Sequence, residues 1–527
     1  MDMSIKDKFI LAIDHGTTGA KVALFHTRGE ALGFEFEPTP MVFLPDGGAE
    51  QDPGEWWRAI VQATRRLLAR NLAPAAEIAA VACSSTFAST VAVDSAGKPL
   101  MNSLTWMDSR GAPYVKERME GLLNIMGYSL SNILSFIPRA GGAPALSGKD
   151  DAGHILFWKN RRPEIYARTH MFLGSKDYLN LKLTGKFAAS PDSAALFWLS
   201  DIRDINNVRY DDRLIRRLGV DREKLASLKP SIEILGNLTR DAARDLSLPE
   251  STKVIVGSAD LQSACVGSGA VRDFEGHIYI GTSSWVLCHI PFKKTDVFHI
   301  ITSLPAAIPG RYFCANEQDA AGGALAFLIN NLVYPEDAFG TPRPPDDVYA
   351  RADRLAEESP AGANGVIFTP WLNGEKTPVE DHRLRAGFSN LSMRTNRKDL
   401  VRAVLEGVAL NSRWAFRYVE KFVQRKLDPL NLIGGGARLN TWGQIYADVF
   451  DRTIRQVQDP LLGNARGAAF LASVALGCIK FEDIPGLVKF ADIYRPNPGN
   501  RKIYDDLFRE FLTIYKNNRR MFRRLNK

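Results

Sequence analysis

Five short stretches of the 527-residue chain carry residue types and spacings that could do chemistry. The first is Asp14-His15-Gly16-Thr17-Thr18-Gly19-Ala20-Lys21. Its glycines permit a tight turn and bare the backbone N–H groups to an anion, and the threonine hydroxyls add donors. Asp14, at the end of an apolar run, can hold Mg2+ beside bound phosphates, directly or through water. Taken alone, the stretch also reads as a hairpin turn with an aspartate cap. The second stretch, Gly281-Thr282-Ser283-Ser284, repeats this chemistry about half the chain later. Two such turns facing each other would clamp a triphosphate.

The third stretch is Gly434-Gly435-Gly436-Ala437-Arg438-Leu439-Asn440, between the apolar pair Leu432-Ile433 and an apolar-periodic helix. Bare backbone at a helix N-terminus can receive a flat base or a ribose. It lacks the G-x-x-x-x-G-K-[ST] pattern of a P-loop, and the N-terminus lacks G-x-G-x-x-G, which argues against a nicotinamide enzyme. Gly463 to Ala469 opens a small-residue helix, suited to packing against the same site or simply to close helix packing. The fourth stretch is Gly257-Ser258-Ala259-Asp260. An aspartate at the end of an apolar strand can orient an acceptor hydroxyl in phosphoryl transfer and take its proton late, or merely cap a helix. The fifth is Thr105-Trp106-Met107-Asp108-Ser109-Arg110. Trp106 and Asp108 supply the aromatic wall and carboxylate that sugars require. A buried tryptophan beside an Asp108/Arg110 ion pair fits the same residues.

The elements that would position these groups follow from local pattern. Phe9 to Asp14, Ala20 to Phe25 and Ala31 to Glu37 are predicted strands joined by turns at His15–Gly19 and Thr27–Glu30. Asp52-Pro53 starts a helix, with a carboxylate cap and a proline at its first position. Ile78 to Cys83, Thr90 to Asp94, Lys253 to Gly257, His277 to Ile280 and Trp285 to Ile290 are further strands. The recurrence of a Gly-Thr-Thr/Ser turn between apolar strands suggests a duplicated domain. Its boundary is placed between residues 252 and 253, giving domains 1–252 and 253–527. The proline-bearing segment Pro335 to Pro360 (Pro342, Pro344, Pro345) reads as a surface connection.

Composition narrows the class. The length favours two large domains, and 45% hydrophobic with 24% charged residues is ordinary for a globular protein. No apolar run reaches the roughly 18 residues of a membrane span, and Met1 to Lys8 is not a secretion signal. The five cysteines are scattered without a C-x-x-C pair and the eight histidines lack metal-ligand spacing. This pattern points to a reducing cytoplasm and away from a disulfide framework or zinc site. The formal charge of +8 is concentrated in residues 516–527, which hold six cationic residues and no acid. A terminal helix carrying Tyr504, Leu507, Phe508, Phe511, Leu512 and Tyr515 ends there. Its basic end is expected to be a solvated helix terminus rather than a nucleic-acid or membrane contact.

Taken in order, these residues resemble the FGGY family of carbohydrate kinases over essentially the whole chain. Phe9 to Phe25 is similar to its first phosphate motif and Ile280 to Ser283 to its second. Lys176-Asp177-Tyr178-Leu179 with Leu183-Thr184-Gly185, Gly257 to Asp260, Trp371 to Pro378, Val401 to Val408 and Leu432 to Arg438 are similar to its remaining signatures. The wording at Gly374-Glu375-Lys376-Thr377-Pro378 and Gly434 to Arg438 is most similar to xylulokinases and related pentulose kinases. Glycerol kinases differ at both places.

The resemblance implies an α/β fold of two actin-like (ribonuclease-H-like) ATPase domains around a central cleft that binds ATP and Mg2+. It makes Asp260 the general base, and Asp14 and Asp260 the carboxylates at the metal. Asp14, Gly16, Thr17, Thr18 and Lys21 with Gly281, Thr282 and Ser283 would hold phosphates, and Gly435, Gly436 and Asn440 the adenosine. Trp106, Asp108, Phe87 and Ala88 would line the sugar site with Asp260.

Departures gather on the sugar side. Ala88 replaces the family's histidine, Met107 the amide of W-N-D, and Ser258-Ala259 two glycines. Asn390 stands for a glycine of the second signature, which a left-handed backbone would allow. The implied activity is phosphorylation of a pentulose such as D-xylulose. Open alternatives are another ketose or polyol (ribulose, a tetritol, a signalling ketose) or a non-catalytic actin-like nucleotide binder. The expected partner is a small sugar or polyol, with no nucleic acid and no membrane. The sequence leaves the oligomeric state open, a homodimer included.

Overall fold

The structure, a computed structural model, describes residues 8–338, 340 and 343–526. Readings made on residues 1–7, Pro342 and Lys527 fall outside them.

The first sheet begins with β1 (Phe9–Gly16), β2 (Gly19–His26) and β3 (Ala31–Pro38), an antiparallel meander. Helix α1 (Pro53–Ala69) follows, with Asp52 accepting the Gly54 N–H and Pro53 at its first position as expected. Strand β4 (Ile78–Ser85) then runs parallel to β1. Further along lie α2 (Ser175–Thr184), β5 (Ile234–Asn237) and β6 (Lys253–Ala259). The sheet order is β5-β6-β4-β1-β2-β3.

Helix α3 (Asp260–Gly267) leaves the end of β6. The second sheet comprises β7 (Gly276–Ile280), β8 (Ser284–Ile290), β9 (Thr295–Asp296), β10 (Ile301–Pro305), β11 (Tyr312–Ala315), β12 (Leu430–Ile433), β13 (Ile454–Val457) and β14 (Phe490–Tyr494). Its order is β9-β10-β11-β8-β7-β12-β13-β14. Helices of this part of the chain include α4 (Val348–Glu357), α5 (Arg397–Val423), α6 (Asn440–Phe450), α7 (Gly463–Ala475) and α8 (Arg501–Leu525).

The two sheets share a six-strand pairing pattern, to which the second adds β9 and β10. Edge strand β5 precedes its neighbour β6 in the chain, whereas β14 follows β13. In each, an edge strand pairs antiparallel (β5 on β6, β14 on β13), and two parallel steps then lead to the strand that opens the hairpin. That strand (β1 or β7) pairs antiparallel with its successor, which pairs antiparallel again. The duplication read from one pair of turns therefore extends through five strands of each sheet, β6-β4-β1-β2-β3 and β13-β12-β7-β8-β11.

Near-continuous apolar strands demand cover on both faces. In β1, Leu11 and Ile13 join the core that contains Trp56 and Ile60 of α1. Ile10 and Ala12 join Ala465, Ala468 and Ala469 of α7. A helix late in the chain thus covers the first sheet. It crosses α3 at glycines: a Cβ on Gly467 would lie 1.8 Å from the Ser263 carbonyl oxygen, and one on Gly267 equally close to that of Gly463. The small-residue run opening α7 is explained by this crossing.

Two expectations need correction. Strand β6, which a division at residues 252 and 253 assigns to the second domain, is hydrogen-bonded between β5 and β4 of the first sheet. The expected surface connection from Pro335 to Pro360 contains helix α4, whose Ala352 and Ala356 are buried. Asn390 takes φ 65°, the left-handed conformation its position was expected to need. Helix α8 docks through Tyr504, Phe508 and Phe511.

Candidate active site

Five chain segments end at the carboxyl ends of parallel strands or in the hairpin turns beside them, where open α/β sheets form their binding crevices. β1 delivers Asp14 and the Gly16–Thr18 turn, β4 leads to Phe87 and Ala88, and β6 delivers Asp260. From the second sheet β7 delivers Gly281 to Ser283, and β12 the glycines at 434–436. All of these except Gly434 line one cleft of ≈ 2100 Å³, with Trp106, Lys21 and Asn440.

The first turn is a two-residue hairpin loop, Thr17-Thr18, closed by Gly16 opposite Gly19. A Cβ on Gly19 would lie 2.3 Å from the Glu37 carbonyl oxygen, so β2 and β3 approach there only because that side chain is absent. The Lys21 ammonium lies 3.3 Å from the Asp14 carboxylate. The second turn is braced from below, with the Ala321 and Gly323 N–H groups donating to the Thr282 carbonyl and that of Gly322 to Gly281. Gly434 adopts φ 97°, and a Cβ there would meet the Ile280 carbonyl oxygen at 2.5 Å, which seats the glycine run directly against β7.

Asp260 is the first residue of α3, and its Oδ1 accepts the Leu261 N–H at 2.8 Å. Burial, then the neighbouring carboxylates of Asp14 and Glu317, hold its carboxyl well above the usual range. A carboxylate so placed is a stronger proton acceptor than one in water. His15, behind the turn, is pushed down to about 3 by burial and is neutral.

On the side expected to take the sugar, Trp106 lines the cleft and its indole Nε1 donates to Thr17 Oγ1 at 3.0 Å. Ala88 lines it too, at φ 52°, a strained conformation for a residue with a side chain. Asp108 does not face the cleft. It is fully buried and accepts the Ala49 N–H at 3.0 Å, and its Oδ2 receives the Arg110 guanidinium at 2.6 Å. Its carboxylate is saturated within the protein, so it fixes the segment that carries Trp106. Asn440 lines the cleft with its amide oxygen already held by the Tyr494 hydroxyl at 3.0 Å. The backbone N–H groups of Asn440 and Thr441 donate to Asp353 of α4. A carboxylate therefore already caps that helix.

Sequence reading missed the groups facing Asp260 from the second domain. Glu317, just past β11, accepts from the Lys376 ammonium at 2.7 Å, and both line the cleft with Asp319. Burial and Glu317 raise the Asp319 carboxyl. Glu375, buried behind, accepts from Asn411 and from the Asp319 N–H. Glu317 and Asp319 were signalled locally only by a pair of acids ahead of Gly322-Gly323, whereas Glu375 and Lys376 stand in the Gly374–Pro378 signature that sequence reading gave no site role.

The match to known families decides the class. The FGGY carbohydrate kinase N-terminal domain matches residues 9–267 and its C-terminal domain residues 276–476. The chain belongs to the FGGY family of carbohydrate kinases. As a family member it is an ATP-dependent sugar kinase with the actin-like two-domain fold. It is 25% identical to the xylulose kinase of Staphylococcus epidermidis, with 97% of each chain covered. It is 24% identical to the gluconokinase of Bacillus subtilis, over 96% of this chain and 95% of that one. The gluconate kinase structure from Lactobacillus acidophilus superposes with a TM-score of 0.83 at 23% identity, covering 98% of this chain and 99% of that one. Kinases named for a ketose and for a sugar acid thus stand at similar distances. Among the described residues no helix is long and apolar enough to cross a membrane.

Proposed function

We propose that this kinase transfers the γ-phosphoryl group of ATP to a hydroxyl of a pentulose such as D-xylulose, with Asp260 as the general base. The observation that carries the reading is the placement of Asp260, at the end of β6 in a cleft walled by both phosphate turns and by Trp106. The pentulose assignment is supported by the wording at Gly374–Pro378 and Gly434–Arg438 and by the xylulose kinase relatives.

In this reading the Thr17-Thr18 and Gly281–Ser283 turns hold the phosphates through backbone N–H groups and hydroxyls, and Gly435 and Gly436 floor the adenosine site. Trp106 offers its ring to the C–H face of the sugar. Asp260 orients the acceptor hydroxyl and takes its proton late, because a loose transition state leaves that proton in place until bond formation is advanced. Closure of the two halves excludes water, the competing acceptor.

The residues also fit a magnesium ion. Asp14 and Glu317 raise the cost of charging Asp260, and the Lys21 ammonium lies against Asp14. Mg2+ usually keeps several waters and is held by one or two carboxylates plus substrate phosphates, a role Asp14 and Asp260 beside the phosphate turns would fill. When bound, such an ion neutralises charge on the transferring phosphoryl group.

The test is ADP release over a panel of D-xylulose, ribulose, tetritols, glycerol and D-gluconate, repeated with Asp260→Asn. D-xylulose is expected to give the highest kcat/KM, and the variant to lose about 10²–10⁴ in turnover. Preference for gluconate would overturn the pentulose assignment, and near-wild-type turnover in the variant would overturn the role of Asp260.

A further inference from the structure

Strand β6 reaches Asp260 through an irregularity. Its pairing with β4 shifts register between Ile255, opposite Ala82, and Ser258, opposite Ser84. Val256 and Gly257 thus stand against Cys83 alone, a two-against-one β-bulge. Gly257 supplies the left-handed residue the bulge needs, at φ 69°, and a Cβ there would lie 2.5 Å from the Cys83 carbonyl oxygen. A bulge re-aims the residues downstream of it, and three positions downstream of Gly257 stands Asp260.

A bulge also strips ladder partners from the backbone, and buried backbone groups must find others. The Val256 carbonyl takes two donors from α2, Lys176 Nζ at 2.9 Å and Asn180 Nδ2 at 2.7 Å. The Ala259 N–H, the last before the base, donates to Asp192 Oδ2 at 2.8 Å. Ser231 connects to both sides, its hydroxyl donating to Asp192 Oδ1 at 3.1 Å and its carbonyl accepting the Gly257 N–H at 2.9 Å. Lys176 is neutralised by Asp177 at 2.5 Å, and Asp177 accepts from Ser193 at 2.8 Å. Lys176, Asn180 and Asp192 are each no more than 2% exposed, and none lines the cleft.

Buried charges are a poor source of stability, because apolar side chains of similar volume fill such space as well or better. What this network supplies that an apolar core cannot is a set of directional bonds on both sides of a bulge. We propose that Asp192, with Lys176 and Asn180, forms a positioning set that clamps the β6 bulge and so aims the Asp260 carboxylate at the acceptor hydroxyl. The proposal rests on Asp260 being the base. It also gives a physical reason for the Lys176-Asp177-Tyr178-Leu179 motif, which touches neither phosphate turn nor Trp106.

The experiment measures kcat and both KM values for Asp192→Ala, Asp192→Asn, Asn180→Ala and Asp260→Asn, with thermal melts confirming folding and the pH profile of kcat recorded for each active variant. Asp192→Ala is expected to lose about 10- to 100-fold in kcat, the scale of a misplacement near 1 Å, with the KM for ATP within about two-fold. Asp192→Asn keeps an oxygen acceptor for the Ala259 N–H and should recover most of the loss. Asn180→Ala, which removes one of two donors to Val256, should lose roughly 3- to 10-fold in kcat and serves where Asp192→Ala does not fold.

Wild-type kcat in a folded Asp192→Ala or Asn180→Ala would overturn the proposal. So would kcat falling in step with nucleotide affinity, or an Asp192→Asn variant no better than Asp192→Ala. An Asp260→Asn enzyme that keeps its turnover removes the base assignment itself. An inactive one beside an unaffected Asp192→Ala removes only the clamp.

Discussion

The indole Nε1 of Trp106 donates to the hydroxyl oxygen of Thr17 over 3.0 Å, so the proposed sugar-side wall and the proposed first phosphate turn share a hydrogen bond. A second link runs behind it: the Trp56 indole donates to Gln51 Oε1 at 3.2 Å, and Gln51 Nε2 donates to the Thr17 carbonyl at 3.0 Å. The phosphate turn is therefore held from the side that the sugar would occupy.

That coupling makes Trp106→Phe informative, because the ring survives while the donor is lost. A net hydrogen bond is worth about 1 kcal/mol, or roughly five-fold in an equilibrium. The KM for ATP should rise about three- to ten-fold although Trp106 belongs to the sugar side. Steady-state kinetics with each substrate varied in turn measures both. An unchanged KM for ATP would show that Thr17 keeps its position without the bond.

Glu317→Gln tests the electrostatics of the base. As the proposed base, Asp260 would work only when ionised, and the Glu317 charge is one of the two neighbouring charges raising its carboxyl. Removing that charge makes ionisation easier. The acid limb of the kcat/KM profile should therefore move to lower pH, while the alkaline limb stays. A limb that stays in place would separate Glu317 from Asp260 in solution.

The same shift has a consequence for stability. A carboxyl raised in the folded state binds protons more tightly there than in the unfolded chain, where its pKa is about 3.9. Stability must then fall as pH rises from that value through the folded pKa. Asp260→Asn removes the titration and should melt at a higher temperature than wild type at neutral pH. The gap should shrink as pH drops toward about 4. Loss of turnover with gain of stability is the trade expected of a strained functional carboxylate. Melting curves at several pH values decide it.

How much of this was legible beforehand depended on whether the information was local. The β1–β2 hairpin, the Asp52 cap and the glycine run after β12 are written in neighbouring residues, and each fell where expected. The membership of β6 was not local: Lys253 to Ala259 is the same apolar strand in either sheet, and only its pairing with β4 and β5 assigns it. Chain spacing leaves Asp108 between a sugar-facing carboxylate and an ion pair with Arg110, because it does not tell which way a carboxylate turns; the structure shows the ion pair. Glu317, paired with Lys376, acts on Asp260 only through tertiary approach of the two halves. Helix α4 was hidden by the prolines before it and by a buried face made of alanines.

Gly467→Ala sets helix propensity against packing. In an exposed helix interior, alanine for glycine is favourable by about 1 kcal/mol. Here the new Cβ would fall 1.8 Å from the Ser263 carbonyl oxygen, a backbone atom of α3 that cannot rotate aside. The helices must separate, and forced overpacking costs about 1–3 kcal/mol, which reverses the sign. Helix α7 covers β1 and α3 carries Asp260 at its first turn, so separation also tilts the base within the cleft. Gly467→Ala should lower both melting temperature and kcat, whereas Gly477→Ala, where no atom lies within 4 Å of a built Cβ but φ is 72°, should disturb stability alone. Equal loss of kcat in the two variants would show that activity follows global stability rather than the crossing of α3 and α7.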